Sequence, residues 1–251
     1  MAAATDAASA GRWWGYLGVE DVGAEHVAAS RDDDPGDRWT PAALRTVVRV
    51  GVALGAASEA FLALAERSAV VHERALGPAS RDAQRARYLQ SRLLQTAERH
   101  REAEAVLRAL LPAAEEALGP DHVDVVDYVG SLGVLLMRLG RLDEAEPLLL
   151  RDLGSTEARE GPSGVDTAIA RNNLAAMRSA QGDEASALAL HAQNLAILRE
   201  RKGDDDPRTL TASSNVALGL LRTGRAAEAA AVAADTWARR RRRLGPEHPT
   251  R

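Results

Sequence analysis

Six histidines, 36 carboxylates and 32 basic side chains are the groups of this 251-residue chain that could carry chemistry. Acid–base or metal chemistry needs such groups to converge, and their spacing here does not bring them together. The histidines are scattered, and His122 and His248 occupy the same place in a recurring motif. There is no HExxH, no phosphate-cradling glycine loop and no G-x-S-x-G elbow. The absence of cysteine removes a thiolate nucleophile, a thiolate metal site and any disulfide. The chain is expected not to be an enzyme and to use no metal and no cofactor.

A net charge of −4 is small for this size, so no global field draws nucleic acid or anionic lipid. The five arginines at 239–243 are the local exception. They close a helical stretch, where cations meet the helix dipole favourably, and no interleaved aromatic row offers base stacking. Lys202 is the only lysine among the 32 basic residues, a compositional bias that discounts every individual arginine. Residues 1–10 hold no basic leader, and no window reaches the ~18 apolar residues of a membrane span. The expectation is a cytoplasmic protein with neither a nucleic-acid nor a membrane partner. With 45% apolar residues, only eight aromatics and about a fifth alanine, the composition points to an all-α fold.

The positioning elements are written as a repeat. Gly77, Gly119, Gly161, Gly203 and Gly245 are each 42 residues from the last, and Gly140, Gly182 and Gly224 keep the same period. Ala145, Ala187 and Ala229 follow the second series, with Ala103 one period earlier. Between them lie helix-length stretches such as 123–139, whose Val129, Leu132, Leu136 and Leu139 recur at three- and four-residue intervals. Each period is predicted to be a helix, a glycine turn and a second helix, with the alanine where the two helices approach. Asp121 and the acidic run before Pro207 are expected to cap helix starts. This divides the chain into an N-terminal segment 1–34 and a repeat domain 35–251. The repeats run at about 35–76, 77–118, 119–160, 161–202 and 203–244, with an incomplete sixth at 245–251. The missing closing element is expected to mean a fragment of a longer array or an end covered by a partner.

A 42-residue two-helix period fits HEAT-like as well as lengthened tetratricopeptide repeats. The spacing Leu174-Ala175, Gly182, Ala187 favours the latter. The chain resembles the long tetratricopeptide repeats of kinesin light chains and their bacterial relatives on Asn172-Asn173-Leu174-Ala175, on Gly-Arg-Leu-Asp-Glu-Ala-Glu at 140–146 and on Leu-Gly-Pro-Glu-His-Pro at 244–249. The resemblance covers 77–251 well and 35–76 loosely. It implies a right-handed α-solenoid of stacked helix-turn-helix repeats. Where the family has a second small residue midway along the second helix, this chain has Leu110, Asp152, Asn194 and Thr236, which is expected to disturb packing between repeats. Arg178 falls on a usually buried apolar position and must snorkel or find a carboxylate. Pro112 is expected to kink or restart its helix.

The first helices of such a stack line a concave groove. In the resembled family an Asn in the first helix hydrogen-bonds the backbone of a bound peptide. Asn173 and Asn215 fall on that position, with Ser131 one repeat earlier. Arg85, Tyr88, Arg92, Asp127, Met137, Arg138, Asn172, Ser214, Leu218 and Arg222 complete the expected lining, whose excess of arginine over aspartate points to an acidic ligand. The expected role is therefore a scaffold holding a protein or peptide in the groove, or the sensor segment of a larger signalling protein with its effector outside this chain. Trp13, Trp14 and Tyr16 are expected either to cap the first repeat or to occupy the groove.

Overall fold

The structure is a computed structural model that describes residues 41–55 and 58–244. The Trp13-Trp14-Tyr16 cluster, the rest of segment 1–34 and the opening of a sixth repeat at 245–251 lie outside the described residues. Ten α-helices, and no strand, occur among the described residues. They are α1 (Pro41–Leu54), α2 (Glu59–Leu76), α3 (Arg81–Thr96), α4 (His100–Leu118), α5 (Val123–Arg138), α6 (Leu142–Glu160), α7 (Val165–Ala180), α8 (Glu184–Lys202), α9 (Pro207–Arg222) and α10 (Ala226–Leu244). The chain forms two compact units, Met1–Pro120 and Asp121–Arg251. In the first, α1 to α4 pack each on the next, and α1 also meets α3. In the second, α5 to α10 do the same, and α5 also meets α7.

The reversal inside four of the five hairpins is one motif. At α5, the Gly140 N–H donates to the Met137 carbonyl and the Arg141 N–H to the Leu136 carbonyl, which satisfies two orphan carbonyls of the helix end. Gly140 has φ 76° for this purpose. The same pair of bonds closes α3, α7 and α9. At α3, however, the left-handed position is filled by Glu98, the only non-glycine residue with positive φ (59°) among those described. Five residues after each such position comes the predicted alanine. Ala103, Ala145 and Ala187 are at most 1% exposed, and Ala229 is 7% exposed. The small side chain lets the second helix lie close against the first.

The midpoints of the second helices differ from expectation. Leu110, Asp152, Asn194 and Thr236 are all buried, and the last three are absorbed within their own hairpin rather than between repeats. Asn194 Nδ2 donates to the Ala168 carbonyl at 3.1 Å, and Thr236 Oγ1 to Ser213 Oγ at 2.8 Å. Asp152 lies over Gly130, where an added Cβ would come within 2.5 Å of its carboxylate. The larger midpoint residue is thus matched by a small or hydrogen-bonding residue on the facing helix. Pro112 lies inside an uninterrupted α4 rather than restarting it. His122, not Asp121, is the N-cap of α5: its Nδ1 accepts from the Asp124 N–H, while Asp121 accepts from Ser155. Asp206 caps α9 as expected.

Successive repeats are tied by ion pairs that share the period. Arg87 makes a bidentate contact with Glu73, at 2.6 and 2.5 Å. Two periods later, Arg171 reaches Glu157 at 3.0 Å and the Pro162 carbonyl at 3.1 Å, with its side chain only 2% exposed. Arg178 finds its carboxylate in Glu146, at 2.7 Å.

Two outcomes follow from this packing. Glu98→Gly removes a side chain from a left-handed position, and after the greater unfolded-state freedom of glycine is subtracted it should stabilise by about 0.5–1 kcal/mol in urea denaturation. Burial, followed by repulsion from Asp127, raises the Asp152 carboxyl from 3.8 to about 7, with Asp166 adding to the rise and Arg159 opposing it. A carboxyl with a raised folded-state pKa favours the native state below its unfolded pKa and loses that advantage as pH climbs to the folded value. Asp152→Asn should therefore stabilise the protein by on the order of 1–3 kcal/mol near pH 8, a gain that shrinks steadily toward pH ~4.

Candidate functional site

In the α5–α7 contact, Val134 and Met137 pack against the buried cluster of Leu149, Leu174 and Met177. One period later the same positions hold Ala176, Ser179, His191, Val216 and Gly219. Four of the five apolar side chains that bring two first helices together are replaced by small or polar ones, and only Val216 stays in the core. The consequence is visible between α7 and α9, which make no close backbone contact. A cavity of about 620 Å³ opens there. Its walls are Asn172, Ala176, Ser179 and Ala180 of α7 and Asn215, Leu218, Gly219 and Arg222 of α9; Glu184, Ala187 and His191 of α8 form the floor. A Cβ at Gly219 would lie 3.1 Å from Leu188 Cδ1, so the glycine lets α9 settle onto α8 below the opening.

Polar groups bridge the gap that apolar ones leave. Asn215 Nδ2 donates to Asn172 Oδ1 at 2.8 Å. Arg222 donates to Ser179 Oγ and stands 3.5 Å from Glu184 Oε1. Ser179 Oγ also donates to the Glu184 carboxylate at 2.9 Å. Burial, and then the Arg222 cation, lower the pKa of His191 against the opposite pull of Glu184. The cavity therefore presents two amides, a neutral imidazole and one Arg–Glu pair, with Leu218 (48% exposed) as an apolar rim. Amides and a guanidinium can hydrogen-bond peptide units and carboxylates without burying an uncompensated charge.

Of the residues expected to line a groove, Asn172, Asn215, Leu218 and Arg222 come together here. Asn173 does not line the cavity. The residue that stands to it as Asn172 stands to Asn215 is Gly130, which has no side chain to offer. Ser214 faces α10: it donates to the Leu210 carbonyl and accepts from Arg240 at 3.2 Å. Met137 packs onto the apolar cluster instead of offering an open pocket. Ser131 and Asp127 lie along α5, each engaged in an interaction of its own, and Arg138 is exposed at its end. Arg85, Tyr88 and Arg92 belong to the first unit, where the Arg92 guanidinium stands 5.9 Å from the Tyr88 ring centroid. Ser179, Glu184 and His191 were not expected. Their signal in the sequence is the loss of apolar character at the 42-residue equivalents of Met137, Leu142 and Leu149.

The arginine run is largely committed within the protein. Arg239 pairs with Asp235 at 2.8 Å and Asp205 at 3.1 Å, Arg240 donates to the Leu210 carbonyl, and Arg243 donates to the Asp205 carbonyl. Among the described residues no group of three or more His, Asp or Glu is placed to hold a metal ion, and no helix is long and apolar enough to cross a membrane.

Tetratricopeptide-repeat family models match residues 166–242, which contain the cavity, and residues 91–124. No curated protein matches the chain in sequence. Among solved structures, a Podosopora anserina kinesin-light-chain-type chain of nearly identical TPR-like repeats is similar with a TM-score of 0.70 and 19% identity, over 80% of this chain and 94% of that one. BtubC (BKLC) from P. vanneervenii gives 0.65 and 19%, over 92% and 96%. The MamA RS-1 ArsTM double mutant gives 0.55 and 14%, over 81% and 96%. Likeness at these identities carries the fold, the all-α helical-repeat solenoid class. Repeats of this kind serve as protein-interaction scaffolds. Residues 91–124 and 166–242 thus carry tetratricopeptide repeats, and the solved structures similar to the chain are kinesin-light-chain-like repeat proteins.

Proposed function

We propose that this protein is a non-catalytic scaffold that holds an extended segment of a partner in the cavity between α7 and α9. The observation that carries this is the replacement of core residues by Ala176, Ser179, His191 and Gly219 at positions that α5, α6 and α7 fill one period earlier. A stack that only needed stability would keep those positions apolar. The Asn172–Asn215 bond is the internal substitute for a ligand. Both amides can exchange it for a peptide N–H and carbonyl at little net cost, because one hydrogen bond replaces another. Leu218 supplies apolar contact at the rim.

The segment is acidic on this reading. Arg222 is half-exposed and its contact with Glu184 is long at 3.5 Å. A carboxylate from the ligand would find a partly satisfied guanidinium and gain a charge-assisted bond. Neutral His191 adds no competing charge. The arginines outside the cavity steer approach and do not hold the segment.

The test is to refill the cavity. Ala176→Val with Ser179→Met restores on α7 the residues that α5 carries at the same positions. Peptides selected from a library against the native chain should bind this double variant at least about tenfold more weakly, while its thermal midpoint stays the same or rises. Native affinity in a folded, refilled protein would remove the proposal.

A further inference from the structure

The far side of α9 and α10 repeats a face that is covered elsewhere in the second unit. Within α5 and α6, Val134, Met137 and Leu153 pack against the cluster containing Leu174 and Met177 of α7. Two periods later these positions are Leu218, Leu221 and Trp237. Leu221 is 58% exposed and Trp237 55% exposed, whereas Leu195, one period before Trp237, is buried against α9 at 5%. No described helix of the second unit covers this side. Leu218 is shared with the cavity; Leu221 and Trp237 are not among its lining residues.

The charges of this face are inverted relative to the covered one. On α6, Glu157 receives Arg171 from the arriving helix. The equivalent position on α10 is Arg241, whose guanidinium stands 5.4 Å from the Trp237 ring centroid, with Arg242 and Arg243 exposed beside it. Arg199 of α8 holds the same position and pairs with Asp204 just beyond its own helix, so an arriving helix that brings an anion to Arg241 supplies the corresponding carboxylate from outside. A second copy of this chain stacking through α1 would bring a helix that carries Arg45 and Arg49 and no carboxylate toward the exposed arginines of α10, and like charges would repel.

We infer that this face docks an amphipathic helix of a partner protein that carries a carboxylate followed, three and six residues later, by leucine or methionine. Trp237 and Leu221 accept the two apolar side chains, as Leu153 and Met137 pack with Leu174 and Met177. Arg241 turns from the Trp237 ring to the carboxylate, gaining a charge-assisted hydrogen bond beside a buried aromatic anchor. The inference stands apart from the cavity, since neither Trp237 nor Arg241 lines it.

The template for the probe is α7 itself. A labelled synthetic peptide of residues 165–180 carrying Arg171→Glu should bind the full chain in fluorescence anisotropy, and the native 165–180 peptide about tenfold more weakly. Trp237→Ser should abolish binding, and Arg241→Glu should reverse the order of the two peptides. The cavity-refilled Ala176→Val, Ser179→Met protein should bind the probe as the native chain does, which separates this inference from the peptide-groove proposal. No binding up to about 1 mM, equal affinity for both peptides, or binding that survives Trp237→Ser would overturn it. So would a dimer dissolved by Trp237→Ser, which assigns the face to a second copy. Binding that appears only after removal of residues 1–40 or 245–251 would assign it to this chain's own ends and likewise overturn it.

Discussion

The hairpins depend on a chain reversal completed by a single residue in the left-handed region, followed at a fixed distance by an alanine at the point of closest approach. Gly140, Gly182 and Gly224 make the turn without a Cβ clash, and Ala145, Ala187 and Ala229 admit the returning helix. Because turn and contact are fixed together, a residue 42 positions along the chain takes up the equivalent place in the next hairpin. The period thereby becomes a coordinate system. Glu98 shows the strength of the constraint: the turn keeps its geometry and its two backbone bonds although the residue there disfavours it.

The hairpins were legible because turn glycines and contact alanines act locally, through backbone conformation and volume. The cavity was only half legible. Asn172, Asn215 and Arg222 were all among the expected lining, but Asn173, the residue at the resembled family's peptide-binding position, does not join them, since Asn172 and Asn215 meet at an offset of 43 rather than 42 residues. Periodicity alone misses that offset. Ser214 read as groove-lining for the same reason, although its helix turns it toward Arg240. Asp121 looked like the better cap by residue type, yet the adjacent His122 stands at the N-cap position and supplies a ring nitrogen instead. His191 was overlooked because a lone histidine carries little signal unless compared with Leu149, which it replaces.

Polar burial follows a consistent rule in this protein. Asn194 and Thr236 sit at second-helix midpoints and find acceptors on the facing helix of their own hairpin. Arg87 and Arg171 bridge from a first helix to the second helix of the preceding repeat. Such ion pairs add little net stability over apolar packing, but a misregistered neighbour would leave the buried Arg171 guanidinium without its carboxylate. They therefore enforce which helix lies against which. Asp152 departs from it, because Gly130 gives it room without giving it a donor, and the Ser68 and Thr209 hydroxyls are likewise buried without a hydrogen-bond partner.

The cavity and the outer face of α10 express one physical situation in two ways. In both, the apolar contact that normally joins one repeat to the next is left incomplete. Between α7 and α9 the neighbouring helix is present, but its side chains have been cut back, so the ligand we propose there is thinner than a helix, an extended segment bonded through its backbone. Beyond α9 and α10 the side chains are full-sized and no described helix of the unit lies against them, so the object proposed for that face has the dimensions of a helix. Removing side chains from a stack selects for peptides, and removing a helix selects for helices. On this view the two sites differ in what they hold because different parts of the same repeating contact are incomplete, and they meet at one residue, Leu218, while Asn215 belongs to the cavity alone and Trp237 to the outer face alone.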